Sequence, residues 1–230
     1  MYKILITGHT GAIGSYLWDK LKNDYELVGF SKSLGQDLTS INLDIDTDIV
    51  IHLAGLNGIK QSWKNPFKYL YNNIYSSYRI FKKFHNKKIL YASSLAVKEW
   101  WRSPYAFSKY VIEKIAPNNA VGMRFANVYG GKIKKLIHKI KNNEVKYITN
   151  QTRDFVHLND IVQSIKILIK NNCHNIVEVG SGKSVDLSSL VKNVEIKKGS
   201  FYEIKKSTAN IKRLIEMGYK PQHNIIKEIR

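Results

Sequence analysis

Cysteine is almost missing from these 230 residues: Cys173 stands alone, so no internal disulfide can form and no thiolate zinc ribbon can be assembled. No run of eighteen apolar residues occurs, which argues against a membrane-spanning helix, and the N-terminus enters a strand-like apolar run without a basic leader. A cytoplasmic protein is expected. There are only four prolines, and neither a Pro/Gly-rich linker nor a low-complexity tract or internal repeat divides the chain, so any second lobe is woven into the first. Acidic residues are few, 18 against 37 lysines and arginines, for a net charge of +19. Such an excess would draw polyanions, but the lysines are scattered among Asn and Ile rather than gathered into a stripe, and no nucleic-acid or membrane partner is expected.

What is present is an alternation. Short apolar runs at Lys3 to Thr7, Glu26 to Phe30, Asp48 to Leu53, Lys88 to Ala92 and Ala120 to Phe125 are interleaved with helical-period segments at Ile13 to Lys22, Pro66 to Lys83 and Tyr105 to Ile115. The runs are apolar on both sides, as burial between two helical layers requires, so the expected fold is α/β with a doubly wound parallel sheet. Beyond Gly130 the pattern predicts a basic helix near Lys132 to Lys141, a strand at Val145 to Ile148, a helix over Asp160 to Lys170, and a return to the main sheet at Ile176 to Val179.

Between the first strand and the first helix lies Thr7-Gly8-His9-Thr10-Gly11-Ala12-Ile13-Gly14. Glycines there let the backbone turn tightly and approach a pyrophosphate, and the helix N-terminus presents unpaired N–H groups to it. Gly8, Thr10, Gly11, Ala12, Ile13 and Gly14 are therefore candidate dinucleotide contacts. After the second strand, where an acidic residue would meet an adenosine ribose, stand Ser31 and Lys32, which suit a 2′-phosphate and favour NADP over NAD as cofactor. Asp37, followed by Leu38, is placed either to receive the adenine amino group or to cap a turn. Leu53, Ala54 and Gly55 end the third strand with residues small enough for the dinucleotide to cross the sheet edge, and His52 is expected to be a packed core histidine.

Ser93-Ser94 ends the fourth strand, and Tyr105-Ala106-Phe107-Ser108-Lys109 opens a helix behind Pro104. Tyr105 and Lys109, four residues apart, share a helix face, an arrangement expected to lower the phenol's pKa by favouring phenolate. Tyr105 would exchange the proton of a sugar hydroxyl, Ser94 would hydrogen-bond the reacting oxygen, and Lys109 would also hold the nicotinamide ribose. No metal site is expected.

With these motifs the chain resembles the extended short-chain dehydrogenase/reductases, the nucleotide-sugar epimerases, dehydratases and 4-keto reductases. Arg124-Phe125-Ala126-Asn127-Val128-Tyr129-Gly130 and Thr152-Arg153-Asp154-Phe155-Val156-His157 are similar to two further family signatures, and Asn73 matches a helix asparagine that props the catalytic strand. The resemblance implies a Rossmann-type domain over 1–125 with 158–180 returning to it, a small interwoven C-terminal substrate lobe over 126–157 and 181–230, and a homodimer. It also implies Asn73 near the cofactor, Asn127 on the diphosphate of a nucleotide-sugar substrate and Arg153 on its phosphate or ribose. The loop between Ser94 and Tyr105 is shorter than in relatives, and its Trp101 is a candidate substrate contact. Dehydratases of the family carry an acid pair directly after the strand-end hydroxyl residue; here Leu95 and Ala96 stand there. Hydride transfer at C4 remains: a 4-epimerase is the first reading, an NADPH-dependent 4-keto reductase the second, and a non-catalytic dinucleotide sensor the third.

Overall fold

The computed structural model describes residues 1–133 and 136–229. In chain order its first half comprises β1 (Lys3–Thr7), α1 (Ala12–Leu21), β2 (Glu26–Phe30), β3 (Ile49–His52), α2 (Ile59–Lys64), α3 (Pro66–Leu70), α4 (Ser76–Lys83), β4 (Lys88–Ser94), α5 (Pro104–Ile115) and β5 (Ala120–Phe125). The second half comprises β6 (Asn127–Tyr129), α6 (Leu136–Lys141), β7 (Tyr147–Thr149), β8 (Thr152–His157), α7 (Leu158–Lys170), β9 (Asn175–Val179), β10 (Ser184–Asp186), β11 (Glu195–Lys197), β12 (Lys206–Ser207), α8 (Lys212–Glu216) and α9 (Ile225–Ile229). Of the expected basic helix, the described part is Leu136–Lys141; Lys134 and Lys135, which it was to include, lie outside the described residues.

Six strands form the main sheet in the order β2-β1-β3-β4-β5-β9, every pairing parallel. This is the doubly wound α/β arrangement that the alternation predicts, including the return of β9 beside β5. Ile4, Leu5 and Ile6 are fully buried because helices cover both faces, and each such side chain stabilises the fold by about 1.5–3 kcal/mol. The chain leaves β1 toward β2 on one side and comes back to β3 on the other. That reversal opens a crevice beyond the C-terminal ends of β1 and β3, where open α/β sheets bind ligands.

A second sheet, β10-β8-β12 with β6 also paired to β8, and a β7–β11 pair are built from the C-terminal half. They enclose their own core, with Tyr129, Ile137, Ile148, Phe155 and Leu187 among its buried residues. The segment carrying Ala209, Leu214 and Tyr219 packs instead into the main core beside Leu168 and Val179. Asp154 on β8 ties the parts together. Fully buried, its carboxylate accepts from Ser181 N (2.9 Å), Ser181 Oγ (2.6 Å), Gly182 N (3.0 Å) and Ala209 N (3.0 Å).

The helix expected over Pro66 to Lys83 is continuous in extent but not in geometry. Between α3 and α4 the backbone widens into a π-turn over Tyr71–Tyr75, with Asn73 buried at its centre. Such a turn inserts an extra residue into the helix and re-aims the side chains around it.

Candidate active site

The end of β1 bends at Gly8 (φ +73°), and α1 starts from Gly11 without any side chain capping its N-terminus or any acidic residue in its first turn. A Cβ on Gly8 would lie 2.8 Å from the Ala54 nitrogen, and one on Gly14 would lie 2.8 Å from the His9 Cα and closer still to the Gly8 carbonyl oxygen. Only glycine permits this packing. Thr10 secures the loop laterally: its hydroxyl hydrogen-bonds Ser31 Oγ and, at 2.7 Å, Ser33 Oγ. A tight, uncapped, positively polarised cradle of this kind fits the diphosphate of a dinucleotide.

The cradle opens into a cleft of about 840 Å³. Gly8, Gly11, Ala12, Ile13, Gly14, Leu53 and Gly55 line its sheet end, Ser94, Tyr105 and Lys109 its middle, and Asn127 and Arg153 the side formed by β6 and β8. Residues read from separate motifs thus meet in one cavity. Pro104 at the first turn and Ser103, whose Oγ accepts from Ala106 N at 3.1 Å, fix the start of α5 and hence the place of Tyr105.

Lys109 is buried, and its ammonium donates to the Ala92 carbonyl at 2.8 Å; burial brings its pKa down to about 8, with the Glu113 carboxylate acting in the opposite direction. The expectation that Lys109 would depress the Tyr105 phenol is corrected here. Burial raises the phenol's pKa, the Ser94 hydroxyl draws it partly back, and the lysine points to the strand-end carbonyl.

Several expected contacts take other roles. Lys32 is paired with Asp37 at 2.5 Å, and that ion pair with the Thr39 donors brings the Asp37 carboxyl down to about 2. Asp37 caps a turn, accepting from Thr39 N (3.0 Å) and Thr39 Oγ1 (2.9 Å), and Leu38 is buried in the core. Asn73 does not line the cleft. Its amide accepts from Leu56 N (2.7 Å) and donates to Leu56 O (3.1 Å) and Ser108 Oγ (2.9 Å), bracing the segment after β3 against α5. Trp101 is 61% exposed and turned away from the cleft, its ring edge-on to Trp100, because the short 95–102 segment folds as a kinked 3₁₀ turn instead of an arch over the cavity.

His52 is a buried, neutral core residue: it bridges Thr7 Oγ1 (2.7 Å) and Ser77 Oγ (2.9 Å), and burial lowers its pKa to about 3. Asn57, Gln61, Ser207, Glu203 and Ile204 line the cleft without having been foreseen, since each sits in an irregular or short element whose place depends on tertiary packing. Ile204 packs against Ala96, Ala106 and Tyr105, replacing part of the cover a longer loop would give. Among the described residues one group of metal-ligating type gathers: His157, His223 and Glu228. Their ligand-type atoms lie within 4.8 Å of one another; the two imidazoles are stacked at 4.0 Å, His157 Nδ1 accepts from Asn159 N, and His223 Nδ1 is bonded to Asp160.

A glycine cradle at the topological switch of a doubly wound sheet, facing a Ser–Tyr–Lys set, defines a dinucleotide-binding fold of the short-chain dehydrogenase/reductase kind. Residues 4–180 match the model of the NAD dependent epimerase/dehydratase family, and the chain belongs to that family of extended short-chain dehydrogenase/reductase enzymes. A Methanocaldococcus jannaschii protein provisionally named a UDP-glucose 4-epimerase is 28% identical over 293 aligned positions, covering 99% of this chain and 96% of the relative. The alignment is longer than the 230-residue chain, so the relative carries insertions. The UDP-N-acetylglucosamine 4-epimerase from Methanobrevibacter ruminantium M1, solved with UDP-N-acetylmuramic acid, shares the fold at a TM-score of 0.84 and 24% identity, covering 99% of this chain and 95% of that one. TunA, an NAD-dependent NDP-hexosamine 5,6-dehydratase, superposes with a TM-score of 0.86 at 23% identity, over 100% of this chain and 96% of its own. No helix among the described residues is long and apolar enough to cross a membrane.

Proposed function

We propose that this enzyme is a nucleotide-sugar 4-epimerase. The observation that carries the reading is the convergence of Ser94, Tyr105 and Lys109 on the cleft into which the glycine cradle opens. Bound there, a nicotinamide dinucleotide would take a hydride from C4 of the sugar and return it to either face. The protein's own residues handle the proton. In the oxidising half Tyr105 would take the proton of the C4 hydroxyl, which the Ser94 hydroxyl eases by favouring phenolate; in the reducing half the phenol, the form that burial favours, would return that proton to the C4 oxygen. Lys109, a cation at neutral pH, would hold the ribose hydroxyls.

Leu95 and Ala96, both buried, occupy the place where an eliminating enzyme would need an acid and a base, and this favours epimerisation over dehydration. The 126–157 and 181–230 segments are read as the substrate lobe, apart from the stretch with Ala209, Leu214 and Tyr219 that packs on the main core, with Asn127 and Arg153 toward the nucleotide diphosphate; both line the cleft. The reading of NADP rests on Ser31 and Lys32, and the Lys32–Asp37 pair weakens it by neutralising the ammonium, which leaves NAD the better fit. A 4-keto reductase remains the second reading only insofar as those two residues favour it. The exposed aromatic row Phe67, Tyr71, Tyr75 and Tyr78 along α3 to α4 supports a homodimer. The single, buried Cys173 accords with the reducing cytoplasm.

The test is incubation of the purified enzyme with NAD and each of UDP-glucose and UDP-N-acetylglucosamine, resolving the C4 epimers by chromatography. Accumulation of the galacto-configured product supports the reading. A dehydrated product, or consumption of NADPH with a 4-keto sugar and no epimer, would overturn it.

A further inference from the structure

Behind the cleft a line of alternating charges runs from the surface to Glu113, one helical turn from Lys109. Lys98 (43% exposed) pairs with Glu178 at 2.7 Å, Glu178 with Arg124 at 3.6 Å, and Arg124 with Glu113 at 2.6 Å, its Nε adding a second bond at 2.8 Å. Glu113, whose side chain is only 6% exposed, also accepts from the Ser93 hydroxyl at 2.5 Å. It stands on α5 four residues after Lys109 and eight after Tyr105, on the inner stripe of that helix. One carboxylate therefore joins three elements: β4 at the residue before Ser94, β5 through Arg124, and the helix that carries Tyr105 and Lys109.

We propose that Glu113 is a positioning residue for the reaction read above, holding Ser94 and Lys109 in register across β4 and α5 and placing its carboxylate one helical turn from Lys109. The geometry is more than a fold contact. A bidentate arginine pair is rigid, and the Ser93 hydroxyl fixes the backbone from which Ser94 projects. The charge is specific as well: Glu113 is the anion one helical turn from Lys109 on α5, and its own partner Arg124 is a cation. Glu113 raises the pKa of Lys109 against the effect of burial. The other ionisable groups around this centre are Tyr105 on α5, Tyr69 on α3, His52 on β3 and Tyr91 on β4, all neutral at neutral pH, with Arg124, Glu178 and Lys98 completing the line.

The test follows the dissociation constant for NADH against pH, by fluorescence of the bound dinucleotide, in the full-length wild type, Glu113→Gln and Glu113→Asp. This readout does not depend on which sugar is turned over, so failure of the epimerase reading and failure of this proposal are separable. Wild-type affinity should weaken as pH rises past the Lys109 titration near 8. In Glu113→Gln the weakening should begin about one pH unit lower, and Glu113→Asp, which keeps the charge, should restore most of the wild-type profile. Should Glu113→Gln not fold, Glu178→Gln removes the next anion in the line and should displace the profile in the same direction by less. Profiles of identical pH dependence in wild type and the readable charge-removing variant, or equal displacement in Glu113→Asp and Glu113→Gln, would overturn the proposal.

Discussion

Replacing Gly14 by alanine should cripple dinucleotide binding while leaving the rest of the fold in place. The added Cβ would sit 2.8 Å from the His9 Cα and nearer still to the Gly8 carbonyl, and both obstacles are backbone atoms that no rotamer change can move. Carbon atoms pack at 3.5–4.0 Å, so the loop must retreat from α1 by about 0.7 Å or more. Overpacking of this kind costs about 1–3 kcal/mol. If the retreat falls on the cradle, the loss appears as affinity for NAD weakened by about 5- to 150-fold, at 1.4 kcal/mol per factor of ten. Titration of NADH fluorescence gives the affinity, and thermal melting with and without NAD separates binding from stability. Gly35→Ala is the control: nothing lies within 4 Å of its Cβ, and its φ of +77° confines the penalty to backbone strain. Wild-type affinity in Gly14→Ala would refute the assignment of this loop as the diphosphate cradle.

Other outcomes follow from the same structure. Asp154→Asn puts an amide where an oxygen accepts two donors, stranding buried N–H groups, and should cost about 3–5 kcal/mol in urea unfolding; a loss below 1 kcal/mol would show that the carboxylate is not the tie between β8, 181–182 and 209. Lys32→Ala should alter NAD affinity little, since the ammonium is already paired with Asp37, and selective loss of NADP binding would instead restore the 2′-phosphate role. Trp101→Ala should leave kcat/KM within about twofold because the ring faces solvent, and a fall of tenfold or more would bring it back to the substrate.

Much of this architecture is legible in the sequence for reasons that are local. β1, β2 and β5 fall where apolar residues occupy both strand faces, and the start of α5 is marked by Ser103 and Pro104, whose capping chemistry needs no tertiary information. The glycine loop is legible because its spacing encodes a steric requirement. The six-residue α2 is not, since its sequence is mostly polar and lies between Gly58 and the Asn65 cap of the next helix. Nor is the π-turn around Asn73, because a helical repeat one residue out of step looks like ordinary helix. The strands of the second lobe are two to six residues long and paired across large sequence separations, so apart from the run at Val145 to Ile148, which the structure places as β7 at Tyr147–Thr149, no local pattern announces them. The spacing of Tyr105 and Lys109 did place both in one cleft, but it does not reveal where the ammonium points. That is decided by the Ala92 carbonyl on β4, far away in sequence, just as the burial that raises the phenol's pKa depends on elements packed around α5.

The decisive measurement is the turnover of Tyr105→Phe on a sugar nucleotide, taken together with its dissociation constant for NADH. Loss of the phenolic hydroxyl alone should lower kcat by about 10²- to 10⁴-fold while affinity stays within about threefold of wild type. Near-normal turnover in that variant would contradict the assignment of proton transfer to this tyrosine and with it the chemistry assigned to the cleft.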